Sequence, residues 1–246
     1  MNNVISSQSF KCVTSKAFKV FALITIPISV LLFVMFNGMK DMQEEGTIIV
    51  NGITTVRESV GGDMLLMVLG IFAALLFAMD FSSGSIRQII GKGIDRTKYV
   101  VGTLVTIALY ALLLMGTMMV ILFVLGSVFG EGTGISGFSE IGWIIAGTLV
   151  FVTFFVSAVM FIACLSRKTS ISLIFAILSI SVVNIICQLL SLITKKNLLV
   201  DPGTMFSQVI SAEATLSERI IPLVSYFILM LVFGFASIMV VRKRDM

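Results

Sequence analysis

The stretch Tyr99-Val-Val-Gly-Thr-Leu-Val-Thr-Ile-Ala-Leu-Tyr-Ala-Leu-Leu-Leu-Met-Gly-Thr-Met-Met-Val-Ile-Leu-Phe-Val-Leu-Gly-Ser-Val-Phe129 runs 31 residues without an Asp, Glu, Lys or Arg. As a helix it is about 46 Å long, against about 30 Å of bilayer hydrocarbon. It is read as a membrane-crossing helix that must tilt, bend or protrude. Five more uncharged apolar blocks flank it, at about 20–36 and 64–79 before it and about 141–165, 170–193 and 220–241 after it. Composition agrees with this reading: 58% of residues are hydrophobic and only 12% charged, where soluble domains carry about 25%. The apolar runs do not alternate every second residue, as the strands of a membrane barrel would, so the spans are helical. The expected fold is an all-α integral membrane protein, one transmembrane domain over residues 1–246 with six transmembrane helices. Its loops and tails are too short for a separate soluble domain. The first block lacks a good cleavage site and is read as span one, an internal signal-anchor.

Orientation follows from the basic residues. Lys11, Lys16 and Lys19 precede span one, Arg87, Lys92, Arg96 and Lys98 lie between spans two and three, Arg167 and Lys168 between four and five, and Arg242, Lys243 and Arg244 at the end. The other side has only Lys40, Arg57, Lys195, Lys196 and Arg219. The positive-inside rule places both termini in the cytoplasm and requires an even number of spans. The net charge of +4 is thus a product of membrane topology and gives no reason to expect a nucleic-acid partner. Histidine is absent, and Cys12, Cys164 and Cys187 are far apart, so no metal site or Cys-His nucleophile is expected. Without histidine, and without an acid inside a span, an intramembrane protease or transferase has no catalytic set.

The connections carry patterns of their own. Phe10, Val13, Ala17 and Phe21 recur at helical spacing beside Lys11, Lys16 and Lys19, which predicts an interfacial elbow helix before span one. In the first outer loop, β-branched residues on either side of Asn51-Gly52 allow a small hairpin, with a disordered loop as the equal alternative. In the last outer loop, Asp201-Pro202 reads as an N-cap followed by proline at the first helical position. The stripe Met205, Phe206, Val209, Ile210 then predicts a short helix between spans five and six. Gly126 and Gly130 form G-x-x-x-G at the outer end of span three, suited to close helix approach or to loop entry. Asn184 and Gln188, four apart, share one face of span five. They either line a path or hydrogen-bond across a helix or dimer contact, the latter contributing about 0.6 to 2 kcal/mol.

The most informative segment is the loop between spans two and three, Asp80-Phe-Ser-Ser-Gly84-Ser-Ile-Arg87-Gln-Ile-Ile-Gly91-Lys92-Gly93-Ile-Asp95-Arg96-Thr-Lys98. It opens with an acid at the membrane edge, passes through a short amphipathic stretch (Ile86, Ile89, Ile90 against Arg87, Gln88) and ends in a basic turn. On composition alone it is an ordinary positive-inside loop. The order of its residues resembles the cytoplasmic loop of ABC-2 type permeases, the membrane subunits of ATP-driven exporters. Asp80, Gly84, Ser85, Ile86, Arg87, Gly91 and Arg96 fall on that family's pattern of an acid, Gly-Thr-Ile-Arg, a turn and an Arg. Asp80 stands where Glu is usual, Ser85 where Thr is usual, and Gly102 near where a lysine is common.

The resemblance implies that residues Asp80, Gly84, Ser85, Ile86, Arg87, Gln88, Ile89, Ile90, Gly91 and Arg96 belong to a coupling helix that docks in a groove of a separate ABC ATPase. ATP and Mg would be bound by that partner, with no cofactor in this chain. Gly91-Lys92-Gly93 is not a P-loop, because Ile86 stands where its first glycine belongs and Gly93 where Ser or Thr must hold magnesium. A second permease copy or a related permease subunit would complete the complex in the bacterial cell membrane. Among small six-helix members the resemblance is to permeases that remove bacitracin, lantibiotics or amphipathic peptides such as phenol-soluble modulins from the membrane. Ion-coupled transport usually leaves charged groups at mid-membrane depth, and no apolar block here holds one. A secondary carrier or a non-catalytic membrane scaffold is the alternative.

Overall fold

A computed structural model describes residues 2–42, 50–61, 63–82, 91, 93, 95–135, 138–166, 168–194, 202–212 and 214–243. Within them the regular structure is helical: α1 (Asn2–Thr14), α2 (Lys16–Met42), α3 (Gly52–Val60), α4 (Asp63–Ser82), α5 (Arg96–Phe129), α6 (Phe138–Ser166), α7 (Thr169–Thr194), α8 (Pro202–Ile210) and α9 (Leu216–Lys243). Each of the six apolar blocks lies inside one of α2, α4, α5, α6, α7 and α9. Among the described residues, four helices are long and apolar enough to cross a membrane: Lys16–Gly38, Arg96–Phe129, Phe138–Ser166 and Leu216–Lys243. The bent pair formed by α3 and Leu65–Phe77, at 57°, brings the number to as many as five. The protein is a multi-pass, all-α membrane protein.

α6 is the hub of the bundle. Its apolar window is 72% buried, whereas those of α2 and α9 are 17% buried and turn most of their side chains outward. Leu23 and Val34 on α2 and Ile221 and Phe235 on α9 are exposed, as expected of helices whose solvent is hydrocarbon. α6 packs against α9, α4, α5, α7 and α8. Aromatic rings weld the contacts: Phe154 and Phe151 of α6 meet Tyr226 of α9 at 4.8 and 4.6 Å between centroids. On the opposite side, Phe18 of α2 meets Tyr110 of α5 edge-on at 5.2 Å, and Phe21 meets Phe72 of α4 at 5.4 Å.

α5 is longer than the roughly 30 Å of bilayer hydrocarbon requires. At 34 residues it is about 51 Å long, and both of its ends become platforms for other segments. α1 packs on its N-terminal end and α3 on its C-terminal end. The C-terminal platform is the G-x-x-x-G. A Cβ on Gly126 would lie 2.8 Å from the Asn51 carbonyl oxygen, so only glycine lets α3 seat there. Beyond Gly130 the chain returns along the start of α3, with Glu131 N–H donating to Val50 O (2.7 Å), Gly52 N–H to Gly132 O (3.0 Å) and Ile53 N–H to Thr133 O (3.1 Å). Gly132 and Gly134 take positive φ values of 86° and 64° in this return. Gly126→Val should therefore lower stability by about 1 to 3 kcal/mol, the usual range for an overpacked site, measured as thermal unfolding of the purified protein in detergent. An unchanged midpoint would mean that α3 does not rest on this seam.

Two expectations about loops meet different outcomes. Asn51-Gly52 starts a helix and does not turn a hairpin. Asn51 Oδ1 accepts from Thr54 N–H at 2.9 Å and Thr54 Oγ1 accepts from Asn51 N–H at 2.9 Å, a reciprocal capping box. The β-branched residues that favoured strands instead supply the buried face of α3 through Ile53, Val56 and Val60, spaced three and four apart. The first half of the expected hairpin, Thr47 to Ile49, lies outside the described residues. The short helix of the last outer loop is present as α8, with Phe206, Val209 and Ile210 buried and Ser207 exposed. Asp201, its expected cap, lies outside the described residues. α9 has an analogous start, where the Glu218 carboxylate accepts from Thr215 N–H and from its hydroxyl, both at 2.8 Å.

Arginines tie α3, α8 and α9 to their neighbours at this end of the bundle. Arg57 of α3 pairs with Glu140 of α6 at 3.4 Å. Arg219 of α9 donates to the Ser211 and Ala212 carbonyls at 2.7 and 3.1 Å, just past the end of α8, and lies over the Trp143 ring at 5.5 Å.

Candidate functional site

The loop between α4 and α5 begins and ends on ordered helices, and its mouth is where the chemistry gathers. After Asp63 at its first position, α4 is free of charge until Asp80, two residues before its end. α5 starts from Asp95, whose Oδ1 accepts from Thr97 N–H at 3.1 Å as an N-cap. One turn into α5, Tyr99 turns inward and is 3% exposed. Its hydroxyl donates to Asp80 Oδ2 at 2.5 Å, so the two helices that bracket the loop are bonded to each other at its mouth.

The other oxygen of Asp80 is held by a third segment. The Lys11 ammonium of α1 forms an ion pair with Oδ1. The carboxylate is 2% exposed. A charge at that depth is tolerated only when paired and hydrogen-bonded. Gln8 of α1, also buried, reaches the Tyr99 hydroxyl. A cavity of about 40 Å³ adjoins the group, lined by Gln8, Lys11, Cys12, Ser15, Leu76, Asp80, Thr106 and Ile107. Partial burial pulls the Lys11 ammonium below the ordinary lysine value, an effect the facing carboxylate opposes. Burial pushes the neighbouring Cys12 thiol up to about 12, so it carries almost no thiolate at neutral pH.

Packing seats α1 as firmly as charge does. Gly102, one turn beyond Tyr99, faces Val4, and a Cβ there would lie 2.8 Å from Val4 Cγ1. The glycine at a position where the resemblance leads one to expect lysine is thus the bed of α1. α1 ends at a break where the Ser15 hydroxyl donates to Cys12 O at 2.7 Å and accepts from Phe18 N–H at 3.1 Å. The chain then continues as α2. Phe10 and Val13, from the expected elbow stripe, are exposed on the side of α1 away from the bundle.

Of the residues singled out in the loop, Asp80 is central to this cluster, Gly91 is exposed, and Arg96 is half-buried in the first turn of α5. Gly84, Ser85, Ile86, Arg87, Gln88, Ile89 and Ile90 lie outside the described residues. Asn184 and Gln188 fall within α7, with side chains outside the described residues. Lys11, Gln8 and Tyr99 are the members that the sequence reading did not single out. In the sequence Lys11 stands out only as one of the basic residues before span one and on the polar side of the elbow. A lone acid ending one apolar block and a tyrosine opening the next were the available signal.

A protein family described as ABC-2 family transporter protein matches residues 11–184, from Lys11 of the elbow into α7. The chain belongs to the ABC-2 transporter family. The match takes in Asp80, Tyr99 and the whole loop between α4 and α5, and leaves α8 and α9 beyond its end. No curated protein matches the sequence. Membership makes this ABC-2 chain a membrane transport subunit, a class that is generally not itself catalytic, and implies an ABC ATPase as its partner.

Proposed function

We propose that this ABC-2 chain is the permease subunit of an ATP-driven exporter and that residues Asp80 to Arg96 couple it to the ATPase. The reading is carried by the loop's mouth. A lever that takes force from another subunit needs both ends anchored to the helices it moves, and Asp80 and Tyr99 bond α4 to α5 there. Ile86, Ile89 and Ile90 supply apolar knobs for a cleft, and Arg87 and Arg96 supply charges for its rim. ATP and Mg bind to the partner, and no cofactor resides in this chain. Residues 1–246 form one transmembrane domain of six spans, carried by α2, α4, α5, α6, α7 and α9, with α1 as an elbow in the inner interface. Both termini face the cytoplasm of a bacterial cell. A second copy or a related permease subunit completes the transport path, on which Asn184 and Gln188 of α7 lie or which they hold together.

The substrate is an amphipathic or antimicrobial peptide, or another solute already partitioned into the membrane. Uncharged apolar blocks give no site for an ion but suit an apolar peptide face. Expression in a peptide-sensitive host should raise the tolerated concentration of such a peptide only when the partner ATPase is co-expressed.

The coupling role is tested by co-purification. The wild-type chain should carry an ATPase through detergent extraction, and Arg87→Glu or Arg96→Glu should weaken that association about tenfold, equivalent to about 1.4 kcal/mol, while membrane insertion stays normal. Undiminished association and transport in both variants would refute the assignment.

A further inference from the structure

Asp80 is held by two different segments: an ion pair with Lys11 of α1 at one oxygen and a hydrogen bond from the Tyr99 hydroxyl of α5 at the other. A carboxylate that merely closed a loop mouth would need only the α4 to α5 bond. The third connection binds α1, which leads through the Ser15 break directly into α2. Without it, α1 would be tied to the loop's ends only through α5, by Val4 on Gly102 and Gln8 on Tyr99. With it, motion of the loop is also delivered to α2, whose Phe18 and Phe21 are packed on Tyr110 and Phe72.

We infer that Asp80 is a positioning residue whose two oxygens clasp α1, the end of α4 and the start of α5 into one rigid unit, so that the elbow and span one move together with the coupling loop. Only the consequence for coupling rests on the function proposed above. The clasp itself rests on geometry: Asp80 is 2% exposed, and charge-assisted bonds of this kind are about twice as strong as neutral ones. Val4 seated on Gly102 places α1 in register, and the ion pair keeps it from lifting. The exposed outer side of α1, with Phe10 and Val13, leaves no second attachment on that face among the described residues.

Cys12 reports the clasp directly, because it is 3% exposed beside Lys11 and becomes accessible when α1 lifts. The full chain, with Cys164 and Cys187 replaced by alanine, is treated with N-ethylmaleimide in membranes. Cys12 should remain protected in this background. Asp80→Asn should raise its labelling rate about tenfold, corresponding to loss of one charged hydrogen bond. Asp80→Glu should return it close to the parent rate, which a simple fault in helix folding would not do. In a second measurement, spin labels on Phe10→Cys and Lys98→Cys, with Cys12 also replaced, are placed in the complex with its ATPase. They should keep one narrow distance distribution when ATP and vanadate are added, and Asp80→Asn should broaden it. Unchanged Cys12 labelling in Asp80→Asn overturns the clasp, and separation of the two labels on ATP addition in the parent overturns its rigidity. A parent chain that retains no ATPase defeats the coupling function instead, and the maleimide result still decides the clasp.

Discussion

Phe206→Ala should destabilise the protein by about 3 to 5 kcal/mol, the range for deleting a large aromatic from a packed site. Phe206 has no exposed surface and stacks on Phe151 of α6 at 4.9 Å between centroids and 21° between planes. Its seat exists because Gly147 has no side chain: a Cβ there would lie 3.1 Å from Phe206 Cε2 and 3.2 Å from Val209 Cγ1. α8 has nine residues, too few to persist as a helix without tertiary support. Removing its main anchor should therefore release α8 as well as leave a cavity beneath it. The effect should spread to α9, since Phe151 also packs on Tyr226. Thermal unfolding in detergent should show the loss, and limited proteolysis should cut the variant within residues 202–212 where the parent resists. A loss below about 1 kcal/mol would mean that α8 is not held by this ring.

Lys11→Met should cost about 3 kcal/mol, within the range for removing one partner of a buried ion pair. The two partners differ sharply in their access to water. The Asp80 side chain is 3% exposed and that of Lys11 44% exposed. Taking away Lys11 leaves a carboxylate in an apolar surrounding with only the Tyr99 hydroxyl to hold it. Taking away the charge of Asp80 leaves an ammonium whose flexible stem can carry it to water. Asp80→Asn should consequently be the milder change for stability, although it too opens the clasp. Equilibrium denaturation of the two variants side by side decides the point. If Asp80→Asn proved the more destabilising, Lys11 would not be the group that makes the buried carboxylate tolerable.

Several features were legible before any coordinates because they follow from local chemistry. Uncharged runs of sufficient length must be helical in hydrocarbon, where every backbone N–H and C=O has to be satisfied within its own segment. Each apolar block accordingly lies in a helix. α8 was readable from Pro202 and the stripe after it, because both the start signal and the buried face are contained in nine adjacent residues. The Asn51-Gly52 reading failed for the same reason of scale. The dipeptide suits a turn and an N-cap equally, and the choice was made by Thr54 three residues on and by a glycine seam on α5 that lies far away in sequence.

Asp80 divides along the same line. Its place at the end of an apolar block, and the resemblance to ABC-2 permeases that its loop carries, were visible in the order of residues. That Lys11 and Tyr99 would reach it was not, because a lysine before span one has the same charge whether it faces lipid headgroups or a buried acid. The amino-acid order alone determined that the chain is a helical membrane protein and where its apolar blocks lie, both properties summed over neighbouring residues. Only the tertiary structure decided which glycines are seats, which arginines tie α3, α8 and α9 to their neighbours and which lysine neutralises Asp80. Those depend on two surfaces meeting, and a linear pattern records each surface without recording its partner.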